Sequence, residues 1–550
     1  MRDYKKYFFD APVKAQRHLD TQNMQSIAAA RARMVTMCSR HRTMLSHKPS
    51  STAPSAEPAA FPYNSSLQWG HDSHAVINRA CEHMPNCQYP EKRMNTFDVV
   101  IIGGGPGGAK AAGILARGGK SVALVENTHM GGVCLNCGCI PTKLLLGATA
   151  PKGLLRGLER QRVAKGSIEV DYDALQKRIQ RFVRASSQTL SKGLEQLGVT
   201  LIEGRAACAG PSEVLVTAAD GTVQNLRAEH IILAGGSRSA AFPGMTPDHD
   251  AVLDSTDMLR VPAVPESLIV VGAGAIGLEM ADFFNAMGSK VTIVEAAPHL
   301  APTEDADLGQ EMAKLLGKTG ITCITGVKAA SLTTREGAAV LVLEDGRELT
   351  AAKALVAVGR TPNTDNLEAE KAGCTLQARG FITVDEHLMA APNVYAIGDI
   401  NGQTLLAHAA EHQGAYVARR IIGAQSGPYA SGPVPSCVYG SLEIMRVGIT
   451  ARQAQAQSGP VAVSKAQLMG NAIAQAGGDA SGFIKIVWQN DSIVGIAALG
   501  HGVSHLVTAA QLLLIGQYHG SALNAFMFAH PTLDEALHAA LEATPEHFAG

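Results

Sequence analysis

Three cysteines stand within six positions in the segment GGVCLNCGCIPTK, residues 131–143. Cys134 and Cys139 have the spacing C-x4-C, and Pro141 follows them closely. Proline is favoured in the first turn of a helix, and the continuation LLLGATAPKGLL has helical character. The thiols are therefore predicted near a helix N-terminus, where the dipole favours thiolate and makes a cysteine a better nucleophile and leaving group. Such a pair, held beside a bound dinucleotide, is placed for two-electron thiol–disulfide exchange.

An internal repeat supplies the elements that would position this pair. DVVIIGGGPGGAKAAGILARGGKSVALVEN, from Asp98, matches SLIVVGAGAIGLEMADFFNAMGSKVTIVEA, from Ser267. Each copy reads as a buried strand, a G-x-G-x-x-G turn, a helix and a second strand that ends in an acidic residue. The turn glycines and terminal acids are Gly103, Gly105, Gly108 and Glu126 in the first copy, and Gly272, Gly274, Gly277 and Glu295 in the second.

Each part of this pattern has a physical role in binding a dinucleotide. The first glycine permits the tight turn, the second lets the backbone approach a pyrophosphate, and the third lets the helix pack on the strand. The helix N-terminus offers free N–H groups to the phosphates, and the acid accepts hydrogen bonds from ribose hydroxyls. Glu295 would repel a 2′-phosphate, and EAAPHLAPTED offers no arginine to receive one. The second site should therefore prefer NAD over NADP.

Composition excludes several other classes of function. The 550 residues are 46% hydrophobic and 17% charged, with a net charge of −1, so nothing indicates binding to nucleic acid or to an anionic membrane. Ten cysteines in this length do not form a disulfide scaffold and suit a reducing compartment. No uninterrupted apolar run reaches transmembrane length. Residues 492–533 contain no Asp, Glu, Lys or Arg, which indicates burial in a core or a subunit interface.

Residues 1–93 differ from the rest of the chain. They include KPSSTAPSAEPAAFPYNSS, which cannot build a core and is predicted to be disordered. From Met94 the sequence MNTFDVVIIGGGPGG is typical of the start of a protein. We favour an over-extended reading frame and a cytoplasmic protein; the alternative is a targeting presequence, which would place the protein in the mitochondrial matrix.

The cysteine segment resembles the active-site segment of the pyridine nucleotide–disulfide oxidoreductases, and within them that of the dihydrolipoyl dehydrogenases. The likeness extends from about Thr96 to Ala543. It also includes NVYAIGDI, LLAHAAEHQG, VAVGRTPNT and FAHPTLDEALHAAL. The resemblance implies an α/β fold with two Rossmann-like dinucleotide-binding domains, for FAD and NAD, and a C-terminal α+β dimerisation domain. The implied segments are 94–243 (FAD domain, first part), 244–366 (NAD domain), 367–428 (FAD/central part) and 429–550 (dimerisation domain).

The same resemblance implies the cofactor contacts. The first glycine turn and Glu126 would hold FAD, and the second turn and Glu295 would hold NAD. Gly398 and Asp399 of NVYAIGDI would bind the ribityl chain. The stretch formed by Leu406, Ala407 and His408 would pass beside the flavin ring. No metal ion is part of this interpretation.

The catalytic roles are likewise implied by the resemblance. Cys134 would exchange with the substrate disulfide, while Cys139 would lie against the flavin. Lys143 would sit near the flavin and pair with Glu279. His530 would be the acid/base, oriented by Glu535, and it would reach the disulfide of the other subunit, so that the enzyme is an obligate homodimer. Locally, Pro531 is predicted at the first helical position, with His530 just outside the helix.

The implied reaction is the oxidation of dihydrolipoamide on a carrier protein through the cysteine pair and FAD, with reduction of NAD. The carrier would be a 2-oxoacid dehydrogenase acyltransferase or the glycine-cleavage carrier. One alternative is another NADH-linked disulfide reductase of this family, and another is a redox-silent scaffold that binds FAD and NAD.

The chain departs from the family pattern in AGGS, in YGSLE and HGVSH, and at Phe528, and these departures lie near the expected interface and substrate entrance. Cys137, where the family usually has valine, is interpreted as a small hydrophobe rather than a third redox thiol.

Overall fold

The computed structural model describes residues 95–457, 459–518 and 520–548. The predicted leader, residues 1–93, lies outside these described residues. The described chain contains three sheets of five or more strands and several helices that cover them.

The first large sheet is mostly parallel, with the order β17-β18-β6-β1-β2-β3, and a hairpin of β4 and β5 extends from β6. Late strands β17 and β18 thus complete a sheet that begins at the start of the described chain. Its elements are β1 (Asn95–Ile102), α1 (Pro106–Arg117), β2 (Val122–Glu126), α2 (Gly132–Cys137), α3 (Cys139–Arg160), α4 (Tyr172–Gln196), β3 (Thr200–Glu203), β4 (Arg205–Gly210), β5 (Glu213–Thr217), β6 (Val223–Leu233), β17 (Met389–Ala391), β18 (Val394–Ala396) and α8 (Ala407–Ile421).

The second sheet is parallel throughout, with the order β11-β10-β9-β15-β8, and a separate antiparallel sheet has the order β12-β13-β14. Two short strands, β7 (Ser237–Ser239) and β16 (Arg360–Pro362), pair with each other in antiparallel fashion. They lie in the chain just before and just after the strands of these two sheets. The elements of this part are β8 (Val252–Leu253), α5 (Ser255–Met258), β9 (Ser267–Val271), α6 (Ala275–Met287), β10 (Lys290–Glu295), α7 (Ala306–Gly317), β11 (Thr322–Thr325), β12 (Ala329–Arg335), β13 (Ala338–Leu343), β14 (Glu348–Ala351) and β15 (Lys353–Val356).

The C-terminal part is an antiparallel sheet with the order β19-β20-β23-β22-β21-β24, covered by helices. Its elements are β19 (Ser436–Val438), β20 (Glu443–Gly448), α9 (Ala451–Gln455), β21 (Val461–Gln467), α10 (Ala472–Ala476), β22 (Gly482–Gln489), β23 (Ser492–Gly500), α11 (Val507–Gly516), α12 (Asp534–Glu542) and β24 (Glu546–His547). Single 3₁₀ turns occur at Ala369–Ala372, Gly398–Asn401, Leu468–Gly470, Val503–Leu506 and Gly520–Ala525.

The internal repeat predicted from the sequence is confirmed by the two parallel sheets. In both, the first strand of the repeat is central, and it pairs on one side with the second strand and on the other with a strand from beyond the repeat. This arrangement places the end of β1 against the end of β6, and the end of β9 against the end of β15. Such a switch point at the carboxyl ends of parallel strands is where α/β folds bind nucleotides.

The charge-free stretch 492–533 divides between core and surface. Ile496, Ala498 and Leu499 of β23 are fully buried, whereas Leu512 and Ile515 of α11 are 61% and 60% exposed. The stretch therefore fills the core of the C-terminal sheet and also presents an apolar helix face.

One helical run, Gly132–Arg160, is long and apolar enough to meet a length-and-composition test for a membrane span. Gly138 interrupts it between α2 and α3, and Leu145 and Leu146 belong to a buried cluster that also contains Phe283 and Phe284 of α6. Packing against protein therefore accounts for part of its apolar composition.

Candidate active site

The two glycine turns have the geometry that a dinucleotide requires. Gly103 and Gly272 have φ of 110° and 102°, and a side chain on either would meet backbone atoms of the neighbouring strand end at 2.2 and 2.4 Å. A side chain on Gly108 or Gly277 would lie 2.0 Å from the carbonyl oxygen of the first glycine.

The middle glycine of each turn faces a different environment. Gly105 and Gly274 are the N-cap residues of α1 and α6. A Cβ added to Gly105 would have its nearest neighbour 4.0 Å away, and a Cβ added to Gly274 would have no neighbour within 4 Å. Open space above a helix N-terminus suits a pyrophosphate, so these residues fit the dinucleotides that the sequence predicts.

The terminal acids of the repeat bind the same turns. Glu126 Oε2 accepts a hydrogen bond from the Gly104 amide at 2.8 Å, and Glu295 Oε2 accepts one from the Ala273 amide at 2.7 Å. Each carboxylate thereby holds the end of its strand against the glycine turn, where it can also accept from a ribose.

The cysteine segment is attached directly to the first glycine turn. The Gly131 amide donates to the Gly104 carbonyl at 2.9 Å, and a side chain on Gly132 would lie 2.8 Å from the Gly105 Cα. The helical conformation is interrupted at Gly138, and Cys139 is the first residue of the 22-residue helix α3. The structure therefore confirms the predicted helix N-terminus at the cysteines and seats it on the turn of the first dinucleotide site.

Cys134 and Cys139 interact with each other, and their two thiols differ in acidity. The pKa of Cys139 is lowered to about 6, because the hydrogen bond from Cys134 and the charge of Lys143 stabilise its thiolate. The pKa of Cys134 is raised, because its proton is held in that hydrogen bond and burial disfavours its charge. At neutral pH the pair therefore carries one thiolate, on Cys139.

Lys143 lies between two parts of the chain that are distant in sequence. Its Nζ is 2.8 and 2.7 Å from the two carboxylate oxygens of Glu279 on α6, and it lies 4.6 Å from the ring centroid of Tyr439. Burial raises the pKa of Glu279, while Lys143 and the Tyr439 amide oppose that rise by bonding its carboxylate.

Asp399 belongs to a polar cluster between the first two parts of the chain. Its Oδ2 accepts from the Ser237 hydroxyl at 2.5 Å and lies 3.7 Å from Arg360 Nε, and Arg360 also donates to the Ser237 hydroxyl at 2.6 Å. The Gly398 amide donates to Gln413 Oε1 at 2.6 Å. The carboxylate is thus fixed in orientation.

The segment predicted to lie beside the flavin begins a helix. Leu406 is the N-cap of α8, Ala407 and His408 are its first residues, and the His408 ring is hydrogen-bonded to the Pro435 carbonyl at 2.9 Å. The first-turn amides of α8 are therefore presented at a helix N-terminus, where partial positive charge favours an electron-rich ligand atom.

His530 Nδ1 lies 2.8 Å from Glu535 Oε1, and the other carboxylate oxygen of Glu535 accepts from the Thr532 amide at 3.0 Å. The His530 side chain is 77% exposed. The predicted helix start at Pro531 is wrong: α12 begins at Asp534, because the Thr532 hydroxyl donates to the Ala529 carbonyl and closes a turn before the helix. Glu535 nevertheless lies in the first turn of α12 and reaches back to the imidazole.

Two of the departing segments touch each other, since the Ser504 amide of HGVSH donates to Glu443 of YGSLE at 2.9 Å. Ser441 of YGSLE bonds the buried Asp282 of α6 through its hydroxyl at 2.5 Å and its amide at 2.8 Å. At a further departure, Phe528 stacks on His538 of α12 with ring centroids 4.5 Å apart.

Cys137 does not share the acidity of Cys139. Burial raises the pKa of its thiol, and its hydrogen bond with Thr256 only partly offsets this effect. A protonated, partly buried thiol is a weak nucleophile, so the interpretation of Cys137 as a small hydrophobe stays the preferred prediction.

Sequence reasoning missed three residues that contact the predicted site: Tyr439, Ser237 and Arg360. Arg360 lies within the quoted motif VAVGRTPNT, which was a usable signal. Ser237 is the last residue of AGGS and Tyr439 is the first residue of YGSLE, and both segments were noted only as departures from the family pattern. Their contacts depend on how the parts of the chain meet.

Two family models match the chain. The model described as pyridine nucleotide-disulphide oxidoreductase matches residues 97–414, and the model of the dimerisation domain of the same proteins matches residues 434–541.

Curated relatives and solved structures agree with these matches. The dihydrolipoyl dehydrogenases of Chlorobaculum tepidum and Bacillus subtilis are 37% and 33% identical to this chain over 80% and 81% of its length, and over 95% and 98% of their own. The crystal structure of LpdA from Mycobacterium tuberculosis superposes with a TM-score of 0.74 at 26% identity, covering 82% of this chain and 99% of that one. The HOCl-induced flavoprotein disulfide reductase RclA from Escherichia coli gives 0.72 at 27% identity, covering 81% and 99%.

Proposed function

The chain belongs to the pyridine nucleotide-disulphide oxidoreductase family, and we propose that it catalyses the dihydrolipoyl dehydrogenase reaction, oxidising dihydrolipoyl groups and reducing NAD. One observation carries the proposal: the Cys134–Cys139 pair is attached to the first dinucleotide turn, through the hydrogen bond between Gly131 and Gly104. A redox pair beside a dinucleotide site is the arrangement that the chemistry requires.

The cysteine pair exchanges with the substrate dithiol. In the oxidised enzyme Cys134 and Cys139 form a disulfide, and a thiolate of the dihydrolipoyl group attacks Cys134, breaking the bond and leaving Cys139 as a thiolate. The second substrate sulfur then attacks the mixed disulfide, which releases the cyclic lipoyl disulfide and leaves Cys134 as a thiol. Because Cys139 has the lower pKa, it is the better leaving group in the first step.

Lys143 and Glu279 position charge at this pair. The ammonium group favours the Cys139 thiolate, and the carboxylate holds the ammonium group in place. Bound FAD would supply the two-electron chemistry that returns the dithiol to the disulfide and delivers hydride to NAD. The first glycine turn, Glu126 and Asp399 would hold FAD, and the second turn and Glu295 would hold NAD.

The enzyme is a homodimer, in keeping with its dimerisation domain. We assign the acid/base role to His530 of the partner subunit, which would remove the first proton from the substrate dithiol. The exposure of His530, together with the carboxylate of Glu535 on its other nitrogen, supports this role, because the imidazole is oriented and free to meet a second chain. The apolar face of α11, with Leu512 and Ile515, is the surface that we assign to the subunit contact.

The physiological substrate would be a lipoylated carrier protein, either a 2-oxoacid dehydrogenase acyltransferase or the glycine-cleavage carrier. We propose a cytoplasmic location, or the mitochondrial matrix if residues 1–93 act as a presequence. In the part of the chain that the structure describes, the seven cysteines are free thiols, which suits either reducing compartment.

The test is NAD reduction by free dihydrolipoamide under anaerobic conditions, with FAD-loaded protein and with NADP in a parallel assay. Turnover that prefers NAD supports the proposal. Absence of turnover, in protein whose flavin is still reduced by NADH, would contradict it and favour a disulfide reductase with a different substrate.

A further inference from the structure

Tyr439 brings an aromatic ring from the C-terminal part of the chain to the ion pair of Lys143 and Glu279. Lys143 Nζ lies 4.6 Å from the centroid of the Tyr439 ring. An aromatic face attracts a cation within about 6 Å of its centroid. The Tyr439 amide also donates to Glu279 Oε1 at 3.1 Å. One residue therefore contacts both members of the ion pair, the cation through its side chain and the carboxylate through its backbone.

The backbone on either side of this ring is anchored to helix α6. Val438, the last residue of β19, is buried in the same hydrophobic cluster as several residues of α6. The Ser441 amide and hydroxyl donate to the carboxylate of Asp282 at 2.8 and 2.5 Å. The Tyr439 amide bonds Glu279, three positions before Asp282, so the segment is held at several points along one helix. These contacts do not involve Lys143, and they fix the ring relative to Glu279.

The ammonium group of Lys143 needs such a support. The Lys143 side chain is 35% exposed, whereas that of Glu279 is 6% exposed. A lysine at a partly open site can extend its ammonium group toward water. The ring and the carboxylate hold this group, so that its charge stays near Cys139. There it adds to the effect of the hydrogen bond from Cys134, which is the larger cause of the lowered pKa of Cys139.

The hydroxyl group of Tyr439 has a separate partner. It is hydrogen-bonded to the thiol of Cys437, two positions earlier on β19. Burial is the main cause that raises the pKa values of both groups, to about 12 for Tyr439 and about 11 for Cys437. Both are therefore protonated at neutral pH. The ring and the hydroxyl can be tested separately, because phenylalanine keeps the first and lacks the second.

We propose that Tyr439 is a positioning residue of the cysteine centre and that the face of its ring holds the Lys143 ammonium group beside the cysteine pair. This inference rests on the proposed function and adds to it a residue from the C-terminal part of the chain. Tyr439 acts through Lys143 and takes no part in the exchange itself. A ring that only filled space would affect the stability of the protein and not the acidity of Cys139.

The experiment measures the pKa of Cys139 from the pH dependence of thiolate absorbance in reduced, FAD-loaded protein. It compares the wild type with Tyr439→Leu, Tyr439→Phe, Lys143→Met and Tyr439→Leu/Lys143→Met. Leucine removes the ring and keeps the amide that bonds Glu279. The other ionisable groups around the ring and the ammonium group are the same in all variants: Glu279, Asp282, Cys134, Cys437 and Glu443. FAD content and urea denaturation show whether each variant is folded.

We expect Tyr439→Leu to raise the pKa of Cys139 above about 6, and by less than Lys143→Met, because Glu279 still holds the ammonium group. A raised pKa leaves less thiolate at neutral pH, so kcat/KM for dihydrolipoamide should fall roughly two- to fivefold there, the range of a partly exposed cation–π contact. Tyr439→Phe should restore the wild-type titration. In the Lys143→Met background the leucine substitution should cause no further shift, because the two residues act through one contact.

A wild-type titration in folded Tyr439→Leu would overturn the proposal, and so would a shift of equal size with and without the Lys143 ammonium group. Equal shifts in the leucine and phenylalanine variants would also overturn it, since they would assign the effect to the hydroxyl. If the leucine variant does not bind FAD, Tyr439→Met replaces it with the same expected outcomes, because methionine also lacks an aromatic face. Failure of the proposed function would be distinct: wild-type protein would then not oxidise dihydrolipoamide, while the titration would still report the effect of the ring.

Discussion

Lys143 Nζ lies 2.7 Å from Glu279 Oε2, although 136 positions separate the two residues in the chain. Lys143 is in the first turns of the cysteine helix α3, and Glu279 is in the helix of the second copy of the internal repeat. Tyr439, from the C-terminal part of the chain, covers the same ammonium group with its ring. Three parts of the chain thus meet at one cation, which they hold close to Cys139.

The first prediction concerns that cation. We expect Lys143→Met to raise the pKa of Cys139 above about 6 while leaving it below the ordinary value of a cysteine, because the hydrogen bond from Cys134 is the larger cause of the lowered pKa and the charge of Lys143 adds to it. The sign is definite: the thiolate exists above its pKa, so a raised value removes thiolate at neutral pH and slows turnover there. The measurement is a pH titration of thiolate absorbance in the reduced protein.

Four other thiols of the described residues will not obscure this titration, because burial raises their pKa values well above the range of interest. The values are about 12 for Cys208 and about 11 for Cys323, Cys374 and Cys437. Lys152→Met, on the same helix, is the control and should leave the curve unchanged. An unaltered titration in the Lys143 variant would show that the lysine does not set the acidity of Cys139.

The parts of the site that could be predicted from the sequence are those that depend on local structure. The glycine turns and the helix start at Cys139 follow from residue types within a few positions, and the structure has them where they were expected. A local argument failed at Pro531: proline suits the first turn of a helix, but the turn closed by Thr532 and Ala529 delays α12 to Asp534.

The second prediction concerns Cys137. We expect Cys137→Val to retain turnover within about twofold and to cost less than about 1.5 kcal/mol of stability, since the two side chains are similar in size and the thiol is protonated at neutral pH. Steady-state kinetics with dihydrolipoamide and NAD provide the measurement. A loss of activity comparable to that of Cys134→Ser would instead identify Cys137 as a third redox thiol.

The third prediction concerns the division of the site between subunits. His530→Gln should lower kcat by about 10² to 10⁴, the range of an acid/base group, while flavin reduction by NADH stays normal. Cys134→Ser should also be inactive with dihydrolipoamide. Dimers that combine one subunit of each variant should regain activity, because they contain one site in which an intact cysteine pair meets an intact histidine.

Co-expression with two different affinity tags isolates these mixed dimers, and each variant homodimer is the control. Mixed dimers as inactive as both homodimers would show that His530 does not act on the cysteine pair of the other subunit.

Contacts between distant segments could not be predicted in the same way. The ion pair of Lys143 and Glu279 was expected only from the family resemblance, and the ring of Tyr439 beside it was not expected. The same holds for Ser237 and Arg360 around Asp399, since no periodicity or spacing relates these three positions. Such contacts are set by how separate helices and loops of the chain pack together, which residue patterns within one element do not encode.

The last prediction concerns a buried cation that joins the second nucleotide-binding sheet to the C-terminal sheet. Lys485 of β22 is 1% exposed, and its Nζ lies 2.8 Å from Asp305 and 3.0 Å from Asp307, at the start of α7. Asp305 also accepts hydrogen bonds from the Ala451 and Arg452 amides of α9. Removing the cation leaves the buried carboxylate of Asp305 without its counter-charge, so Lys485→Met should cost about 3 to 5 kcal/mol of unfolding free energy. Lys465→Met is the matched control: Lys465 also pairs with Asp307, at 2.7 Å, but it is 38% exposed, and its loss should cost less than about 1 kcal/mol. Urea denaturation of the FAD-loaded dimers at equal concentration measures both variants. Equal losses would mean that solvent reaches the Lys485 site and that burial does not strengthen its ion pairs.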